Sequence, residues 1–384
     1  MIKILVLYLI KFFLLPLKIL PTKKNSILFL SYQGKQYSCN PRAIYEYMNS
    51  HFSNLEFIWG IYDSTKVLDC SSANTLKWVK PNTFAYFKRL VTAKYVITNI
   101  PLPVYIPKKT DTVWVNTWHG GGAFKKVEYP VTNLYAKIAR NIQNKHTDYY
   151  ISSSKKFTEI MSKSTGIPES KFIEIGMPRN DVFFSSTEEK NYIREKIVNL
   201  YAIPKNSFIV LFSPTYRGKS AQDSQKFAFK LDADAVKNAF KNRFGKDVVI
   251  MIRSHHAIKE ALESIDGILD GTSYPDMQDL LVACDSLITD YSSCIWDFSL
   301  TDKPGFLFVP DIVEYECKRG LYTPVSDWAF DYATTNDGLC RLIESYDDVK
   351  ATYKREAYLE RLGSCDKGTA LQAVANILKG KKYY

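Results

Sequence analysis

The strongest constraint on the fold of this chain is a repeated alternation of short apolar runs with helical segments. The apolar runs are bounded by turn residues, which is typical of buried strands. These predicted strands span 26–32, 56–62, 95–100, 112–118, 149–152, 172–175, 208–213, 248–253, 286–290 and 306–309. Helical spacing is found at 41–50, 82–92 and 187–200. Strands that alternate with helices in this way predict parallel sheets joined by crossover helices.

The length of 384 residues is enough for two domains, each with its own core. The segment Ile-Pro-Lys-Asn at 203–206 predicts a linker between two such α/β units. The sequence therefore predicts two doubly wound parallel-sheet domains that face a cleft, at 25–204 and 205–384, after a separate segment at 1–24.

The first twenty residues are strongly apolar, but Lys3, Lys11 and Lys18 interrupt them. The longest uninterrupted apolar run is too short for a spanning helix, and no small-residue cleavage site follows. On a helical wheel the three lysines lie within about 80° of one another, opposite an apolar face. This pattern predicts an amphipathic helix on an anionic membrane surface; the alternative is a helix that packs on the protein itself.

Several classes of protein and of site are excluded. The net charge is +11, but the cations concentrate at the apolar N-terminus and no nucleic-acid recognition motif is present, so no nucleic-acid partner is expected. Seven cysteines without a CxxC pair indicate a reducing compartment, and neither a metal site nor a cofactor is predicted. The sequence leaves a requirement for Mg²⁺ undecided. The absence of Walker and Rossmann glycine motifs argues against kinases and dehydrogenases.

Polar clusters follow three of the predicted strands, where ligands of doubly wound sheets bind. The first is His119 with Gly120, Gly121 and Gly122, followed by Lys125. A neutral histidine in such a loop can take a proton from an attacking hydroxyl, and the alternative is a structural hydrogen bond.

The second cluster is Arg253-Ser254-His255-His256, in which an arginine and a histidine suit a phosphate. Adjacent residues of a strand point to opposite faces, so metal binding by the histidine pair is not expected. The third cluster is Asp290-Tyr291-Ser292-Ser293, where a serine can cap the next helix and leave an anion site at its N-terminus. Plain helix capping is the alternative. Weaker signals are single arginines in two loops, Arg217 and Arg179 (with Asn180).

Together these segments resemble the CDP-glycerol glycerophosphotransferase family, the teichoic-acid primases and polymerases. The matching segments are SYQGKQYSCNPRAIYEY at 31–47, TWHGG at 117–121, GMPRND at 176–181, SPTYRG at 213–218, RSHH at 253–256, TDYSSCIWDF at 289–298 and KRGLY at 318–322. The family commonly has Asp-Asn-Pro where this chain has Cys39-Asn40-Pro41, and Thr-Pro in place of Gly121-Gly122. Both departures lie in the half expected to face the acceptor.

The resemblance implies a GT-B-like fold on the cytoplasmic face of the cell membrane, as a peripheral protein. It implies transfer of glycerol phosphate from CDP-glycerol to an undecaprenyl-diphosphate-linked glycan acceptor, with release of CMP. The compact length favours a primase over a polymerase. CDP-ribitol as donor, a capsular glycan as acceptor and a GT-B glycosyltransferase that uses a sugar nucleotide remain alternatives.

The same resemblance assigns roles to residues. The catalytic residues expected from it are His119 and His255. The expected donor-binding residues are Arg217, Arg253, Asp290, Ser292, Ser293, Asp297 and Arg319. The loops expected on the acceptor side or at the cleft contain Gly120, Gly121, Lys125, Arg179 and Asn180.

Overall fold

The computed structural model describes residues 2–67, 76–127, 133–215, 217, 231–254 and 268–380. The chain forms two compact units, and it crosses between them more than once. Unit 1 comprises Met1–His119, Val127–Asp181 and Cys365–Tyr384, and unit 2 comprises Gly120–Lys126 and Val182–Ser364. Each unit contains one parallel sheet, as the alternation of strands and helices predicts.

The sheet of unit 1 has seven parallel strands in the order β3-β2-β1-β4-β5-β6-β7. Its strands are β1 Lys23–Leu30, β2 Glu56–Gly60, β3 Lys77–Val79, β4 Ala93–Thr98, β5 Val113–Asn116, β6 Tyr149–Ser152 and β7 Phe172–Glu174. The last five residues of β1 are all buried, which is expected of a central strand with helices on both faces. The strand order reverses between β1 and β4, so the loops after these two strands diverge and leave a crevice.

In unit 1 the residue that precedes a helix caps it with its side chain in three cases. Before residue 182 the described helices of unit 1 are α1 Ile2–Leu14, α2 Cys39–His51, α3 Phe84–Thr92, α4 Leu134–His146 and α5 Lys155–Thr165. Thr83, Asn133 and Ser154 each accept a backbone N–H of the first turn of the helix that follows. These bonds satisfy N–H groups that have no partner within the helix itself.

The sheet of unit 2 repeats this architecture with six parallel strands in the order β10-β9-β8-β11-β12-β13. Its strands are β8 Phe208–Ser213, β9 Val248–Ile252, β10 Ile268–Asp270, β11 Ser286–Thr289, β12 Gly305–Phe308 and β13 Asp331–Ala333. The described helices of this unit are α6 Thr187–Leu200, α7 Ala233–Phe244, α8 Met277–Ala283, α9 Cys294–Ser299, α10 Ile312–Lys318, α11 Asn336–Glu344 and α12 Asp348–Leu362. Here the order reverses between β8 and β11.

The two compact units differ from the predicted domains in where the chain divides. The division falls after Asp181 and not near 204, and the C-terminal helix α13 (Ala370–Leu378) belongs to unit 1. Two contacts, one buried and one partly buried, account for this return. The Asp366 carboxylate accepts the N–H of Met177 at 2.8 Å, and the Asp181 carboxylate accepts the N–H of Leu371 at 2.8 Å.

The N-terminal helix ends earlier than the apolar run. α1 stops at Leu14, and a 3₁₀ segment from Leu15 to Ile19 follows, because Pro16 has no N–H to continue the helix. Leu7 and Leu14 are buried, whereas most of the other apolar side chains of α1 are exposed. Among the residues that the structure describes, every helix is too short or too polar to span a membrane.

Gly176 is predicted to be essential for the return of the C-terminal segment to unit 1. Its φ is +84°, and a Cβ there would lie 2.8 Å from the Cα of Asp366 and 2.9 Å from the carbonyl oxygen of Cys365. Gly176→Ala is therefore expected to cost about 2–4 kcal/mol, from left-handed strain plus a backbone clash. The urea midpoint should fall, and amide hydrogen exchange at residues 177 and 365–371 should accelerate.

Gly245→Ala is the matched control, because Gly245 also has a positive φ of +68° but nothing lies within 4 Å of the added Cβ. This variant should lose only about 1–2 kcal/mol, the left-handed strain alone. Equal losses in the two variants, without a local change in exchange at 365–371, would contradict the proposed steric role.

Candidate active site

The loop after β5 fixes the backbone that precedes His119. Trp118 has a positive φ of +52°, and its N–H donates to the Asn116 side chain at 2.9 Å. The buried amide of Asn40 donates to the carbonyl oxygens of Thr117 and Trp118, at 3.1 and 3.0 Å. An unfavourable backbone conformation persists only where surrounding bonds hold it, and such positions cluster at functional sites. The loop therefore presents His119 in one orientation.

The ring of His119 is half-buried and oriented by a backbone carbonyl. Its Nδ1 lies 3.1 Å from the carbonyl oxygen of Asn99, and its ring centroid lies 4.4 Å from that of Trp118. Because a carbonyl can only accept, Nδ1 carries the proton in the neutral ring. Nε2 then presents a lone pair, which is the form that a general base requires.

Asn99 connects this histidine to the point where the strand order of unit 1 reverses. It is fully buried directly after β4, its Oδ1 accepts the N–H of Tyr32 at 2.8 Å, and its Nδ2 donates to Ser31 at 3.3 Å. Ser31 and Tyr32 directly follow β1. Through Asn99, His119 is thus linked to the crevice between diverging loops, where ligands of doubly wound sheets bind.

Arg179 bonds to this loop, whereas the neighbouring Asn180 bonds to the C-terminal segment. The guanidinium of Arg179, which is 7% exposed, donates to the carbonyl oxygen of His119 at 3.0 Å. The amide of Asn180 is fully buried and donates to Asp366 at 3.3 Å. The described contacts of both side chains are thus made within unit 1.

The corresponding edge of unit 2 contains a buried ion cluster. The guanidinium of Arg217 donates from Nε and Nη2 to Asp311, at 2.6 and 2.9 Å, and from Nη1 to Asp290 at 2.8 Å. Burial opposes the charge of this group, but the two carboxylates raise the pKa of Arg217 above its usual range. The stacked rings of Tyr291 and Tyr315, 3.7 Å apart, each lie 5.1 Å from the guanidinium. We call Arg217, Asp290 and Asp311 the arginine–carboxylate cluster.

Asp290 joins this cluster to the strand ends at which the order of sheet 2 reverses. Directly after β11, its carboxylate accepts the N–H of Thr215 at 2.9 Å and the N–H of Tyr291 at 2.6 Å. Thr215 lies just beyond the end of β8. Asp290 is 1% exposed, and the bonds of its carboxylate connect the loop after β8 to the loop after β11.

The loop 120–126 belongs to unit 2, although it directly follows His119. A Cβ at Gly120 would lie 2.9 Å from Cβ of Ser293, and a Cβ at Gly121 would overlap the ring of Trp296. Only glycine allows the backbone to approach α9 this closely. Farther along, the N–H of Lys126 donates to Gly320 at 3.1 Å, and the N–H of Tyr322 donates to Phe124 at 2.9 Å.

These contacts bring Lys125 beside the arginine–carboxylate cluster. Burial, against the opposing effect of Asp290 and with a smaller contribution from Arg319 and Arg217, lowers the pKa of Lys125 to about 8. The sequence predicted Lys125 in a loop on the acceptor side or at the cleft; the structure places it among the residues predicted for the donor. Arg319 follows α10 and is half-buried.

The two predicted serines precede a very short helix. α9 has six residues, Ser293 makes no side-chain capping bond, and the hydroxyl of Ser292 accepts the N–H of Cys294 at 3.4 Å. A helix of this length has a small dipole, so nearby cations matter more for binding an anion here. Asp297 lies on α9, is 1% exposed, and accepts a hydrogen bond from Gln278 at 3.1 Å.

Of the predicted cluster Arg253-Ser254-His255-His256, the structure describes Arg253 and Ser254. Arg253 follows β9, is half-buried, and donates to the carbonyl oxygen of Pro275 at 3.4 Å. Ser254 is buried next to Thr272. His255 and His256 lie outside the residues that the structure describes. Among the described residues, no group of three or more His, Cys, Asp or Glu side chains is arranged to hold a metal ion.

Three residues that hold the candidate site were not singled out from the sequence: Asn40, Asn99 and Asp311. Asn40 and Asn99 orient the His119 loop, and Asp311 completes the arginine–carboxylate cluster. Asn40 lies in the Cys-Asn-Pro segment noted above, which was the available signal. Asn99 follows a predicted strand, but a lone asparagine after a strand is also an ordinary turn residue.

The comparisons with known proteins agree with the resemblance. A family model described as CDP-Glycerol:Poly(glycerophosphate) glycerophosphotransferase matches residues 12–379. A teichoic acid poly(glycerol phosphate) polymerase of Bacillus spizizenii is 35% identical, over 79% of this chain and 79% of that protein. A teichoic acid glycerol-phosphate transferase of Staphylococcus aureus is 27% identical, over 92% of this chain and 93% of that protein.

A teichoic acid poly(glycerol phosphate) polymerase of Staphylococcus epidermidis is 32% identical over 93% of this chain. The match spans only 50% of the length of that protein. Among solved structures, the wall teichoic acid polymerase TagF is 28% identical with a TM-score of 0.79, over 94% of this chain and 89% of that one. Another structure is of a TagF variant soaked with CDPG. The family match and the relatives above 30% identity confirm the resemblance: the chain belongs to the CDP-glycerol:poly(glycerophosphate) glycerophosphotransferase family.

Proposed function

We propose that this protein transfers glycerol phosphate from CDP-glycerol to a hydroxyl group of a lipid-linked glycan and releases CMP. The observation that carries the proposal is the fixed orientation of His119, whose Nδ1 is held by the Asn99 carbonyl. This leaves Nε2 as a proton acceptor, which a transfer to an alcohol requires and which simple binding does not. Family membership supports the choice of donor.

In the proposed reaction the acceptor oxygen attacks the phosphorus that carries glycerol. A new P–O bond forms, the bond from that phosphorus to the CMP oxygen breaks, and CMP leaves with the bonding electrons. His119 Nε2 takes the proton of the acceptor hydroxyl. Such phosphoryl transfers depend mainly on positioning and on stabilisation of phosphate charge.

Unit 2 supplies that stabilisation in the proposal. Lys125, Arg253 and Arg319 are the cations assigned to the diphosphate, together with the hydroxyls of Ser292 and Ser293. Asp297 is assigned to the donor hydroxyls, and His255 to the leaving phosphate. Arg217 and Asp290 were predicted as donor ligands, but their polar atoms bond to protein groups, so we assign them to positioning of the site.

We also propose that α1 places the protein on the cytoplasmic face of the cell membrane. Leu5, Phe12 and Phe13 are each at least 66% exposed, and Lys3 and Lys18 are exposed as well. An exposed apolar face with nearby lysines suits an anionic leaflet. Sedimentation with phosphatidylglycerol vesicles tests this; protein that stays in the supernatant would refute it.

The decisive experiment for the function measures CMP release by the full chain with a lipid-linked disaccharide acceptor. CDP-glycerol, CDP-ribitol and UDP-glucose are compared as donors, and His119→Ala is measured beside the wild type. We expect release with CDP-glycerol and a rate about 10²–10⁴ lower in the variant, with CDP-glycerol binding retained. Product length decides between single-unit addition, the outcome predicted from the sequence, and polymerisation.

Release with UDP-glucose alone would refute the proposed function, and release with CDP-ribitol alone would change the donor. Near-normal turnover by His119→Ala would remove this residue from the role of base.

The role of Lys125 predicts a pH dependence of donor affinity. Its pKa is lowered to about 8, so the ammonium is charged below pH 8 and loses its proton as the pH rises through that value. The KM for CDP-glycerol should therefore increase above pH 8, by about tenfold per pH unit until the contact is lost. Lys125→Arg should keep a flat profile to pH 10, because a guanidinium titrates above pH 12.

Lys125→Met should raise the KM at pH 7 by about 10–100-fold, as expected for loss of a charged hydrogen bond. The exposed neighbour Lys126 provides the matched control, and Lys126→Met should leave the KM unchanged. Equal effects of the two substitutions would contradict a specific role of Lys125.

A further inference from the structure

A cavity of about 290 Å³ lies within unit 1 between α4 and the sheet. Its volume is at the lower end of the range for small-molecule sites. Much of its lining is apolar and comes from Pro101, Leu102, Trp114, Trp118, Tyr150 and Ile167. The lining contains none of the residues to which the proposed transfer assigns catalysis or donor binding.

Two polar side chains of the lining, Arg140 and Asn144, bond to backbone carbonyl groups of the protein. Arg140 donates from Nε to the carbonyl oxygen of Thr165 at 2.8 Å, and Asn144 donates to that of Gly166 at 2.6 Å. His146 lies edge-on to Trp114, and burial, with Lys11 and Lys108 nearby, lowers its pKa to about 4. The imidazole is therefore neutral at pH 7. A largely apolar lining, in which Arg140 and Asn144 bond to protein carbonyls and His146 is neutral, favours a hydrocarbon occupant.

The helix above the cavity is unusually poorly buried. None of the thirteen residues of α4 is buried, although Tyr135, Ala136 and Ala139 line the cavity. Helices that pack on a sheet normally bury an apolar stripe. The inner face of α4 thus remains available for an apolar ligand.

The lining of the cavity contacts two features already described. Trp118 packs against the ring of His119, the proposed base. Trp114 and Leu102 belong to the hydrophobic cluster that contains Leu14 and Leu17, at and just after the end of α1. The cavity is therefore linked through its lining both to the proposed base and to the helix proposed to lie on the membrane.

We propose that this cavity binds a hydrocarbon segment of the lipid-linked acceptor, close to its glycan. This inference rests on the proposed function, because it assumes an acceptor that carries a lipid. A chain held between Trp118 and Trp114 would keep the sugar hydroxyl near His119 while the rest of the lipid stays in the membrane. Each CH₂ group removed from water would strengthen binding by up to about fourfold.

The first test is direct binding to the full-length protein, which does not depend on turnover. The probes are the C15 isoprenoid phosphate, its C10 homologue and inorganic phosphate, followed by calorimetry. We expect the C15 compound to bind at least tenfold more tightly than the C10 compound, and inorganic phosphate not to compete. Equal affinities, or full competition by inorganic phosphate, would overturn the proposal, since the anion alone would then account for binding.

Ala139→Phe fills the cavity, and Ala136→Phe is a second filling variant. Asn141→Phe, at an exposed position of the same helix, is the matched control. Each filling variant should weaken C15 binding by at least tenfold and leave vesicle binding through α1 unchanged, whereas the control should match the wild type. Unchanged C15 binding in a filling variant whose melting temperature equals that of the wild type would refute the proposal.

The second test separates this inference from the proposed function. With the long-chain acceptor, Ala139→Phe should raise the acceptor KM at least tenfold, while kcat and KM with a chain-truncated acceptor stay unchanged. Equal losses with both acceptors would contradict a hydrocarbon site. If the wild type releases no CMP from any donor, the proposed function fails, and the binding experiment still decides the role of the cavity.

Discussion

The arginine–carboxylate cluster is the interaction on which the site of unit 2 depends most. Arg217 bonds to Asp290, which follows β11, and to Asp311, which follows β12, and Asp290 also holds the loop after β8. The loops after β8 and β11 flank the point where the strand order reverses. Because the cluster is buried, loss of one of its members should destabilise the protein. Removing one partner of a buried ion pair leaves an uncompensated charge and typically costs about 3–5 kcal/mol. The cluster thereby fixes the backbone beside which Lys125 and Ser292 lie.

In unit 1 the ring of His119 is oriented by neutral groups, although the guanidinium of Arg179 also bonds to the backbone of this loop. Asn40 and Asn99 hold the His119 loop through amide and carbonyl contacts. A nearby carboxylate would favour the protonated imidazole, which cannot act as a base. Amides fix the orientation of the ring without adding charge. Unit 2 handles a diphosphate in the proposal and therefore places several cations together. This difference follows from the chemistry assigned to each unit: proton removal from an alcohol on one side and binding of an anion on the other.

Most of the fold was predictable because its central strands are long and apolar. The strands Phe208–Ser213 and Tyr149–Ser152 were predicted with their observed bounds. Three of the three-residue edge strands, Lys77–Val79, Ile268–Asp270 and Asp331–Ala333, were missed because so short a segment has no periodicity, whereas Phe172–Glu174 was predicted at 172–175. The residues at the strand ends were also found, since Asp290 follows a strand at one reversal point and His119 contacts the other through Asn99. What sequence could not provide were non-local partners. The sequence around Arg217 does not indicate that its guanidinium donates hydrogen bonds to Asp311. Nor does the sequence around Lys125 indicate that the loop 120–126 belongs to unit 2.

The central claim is that Arg217 organises the site through Asp311 and Asp290 and does not itself bind the donor. A double-mutant cycle on Arg217→Gln and Asp311→Asn, measured as free energies of unfolding with CDP-glycerol affinity in parallel, tests it most directly. We expect each single variant to be less stable than the wild type. The interaction energy of the cycle should exceed about 2 kcal/mol, whereas independent sites typically deviate from additivity by roughly 0.5 kcal/mol. Wild-type stability of Arg217→Gln together with lost CDP-glycerol binding would show that Arg217 is a donor ligand, and would contradict the account.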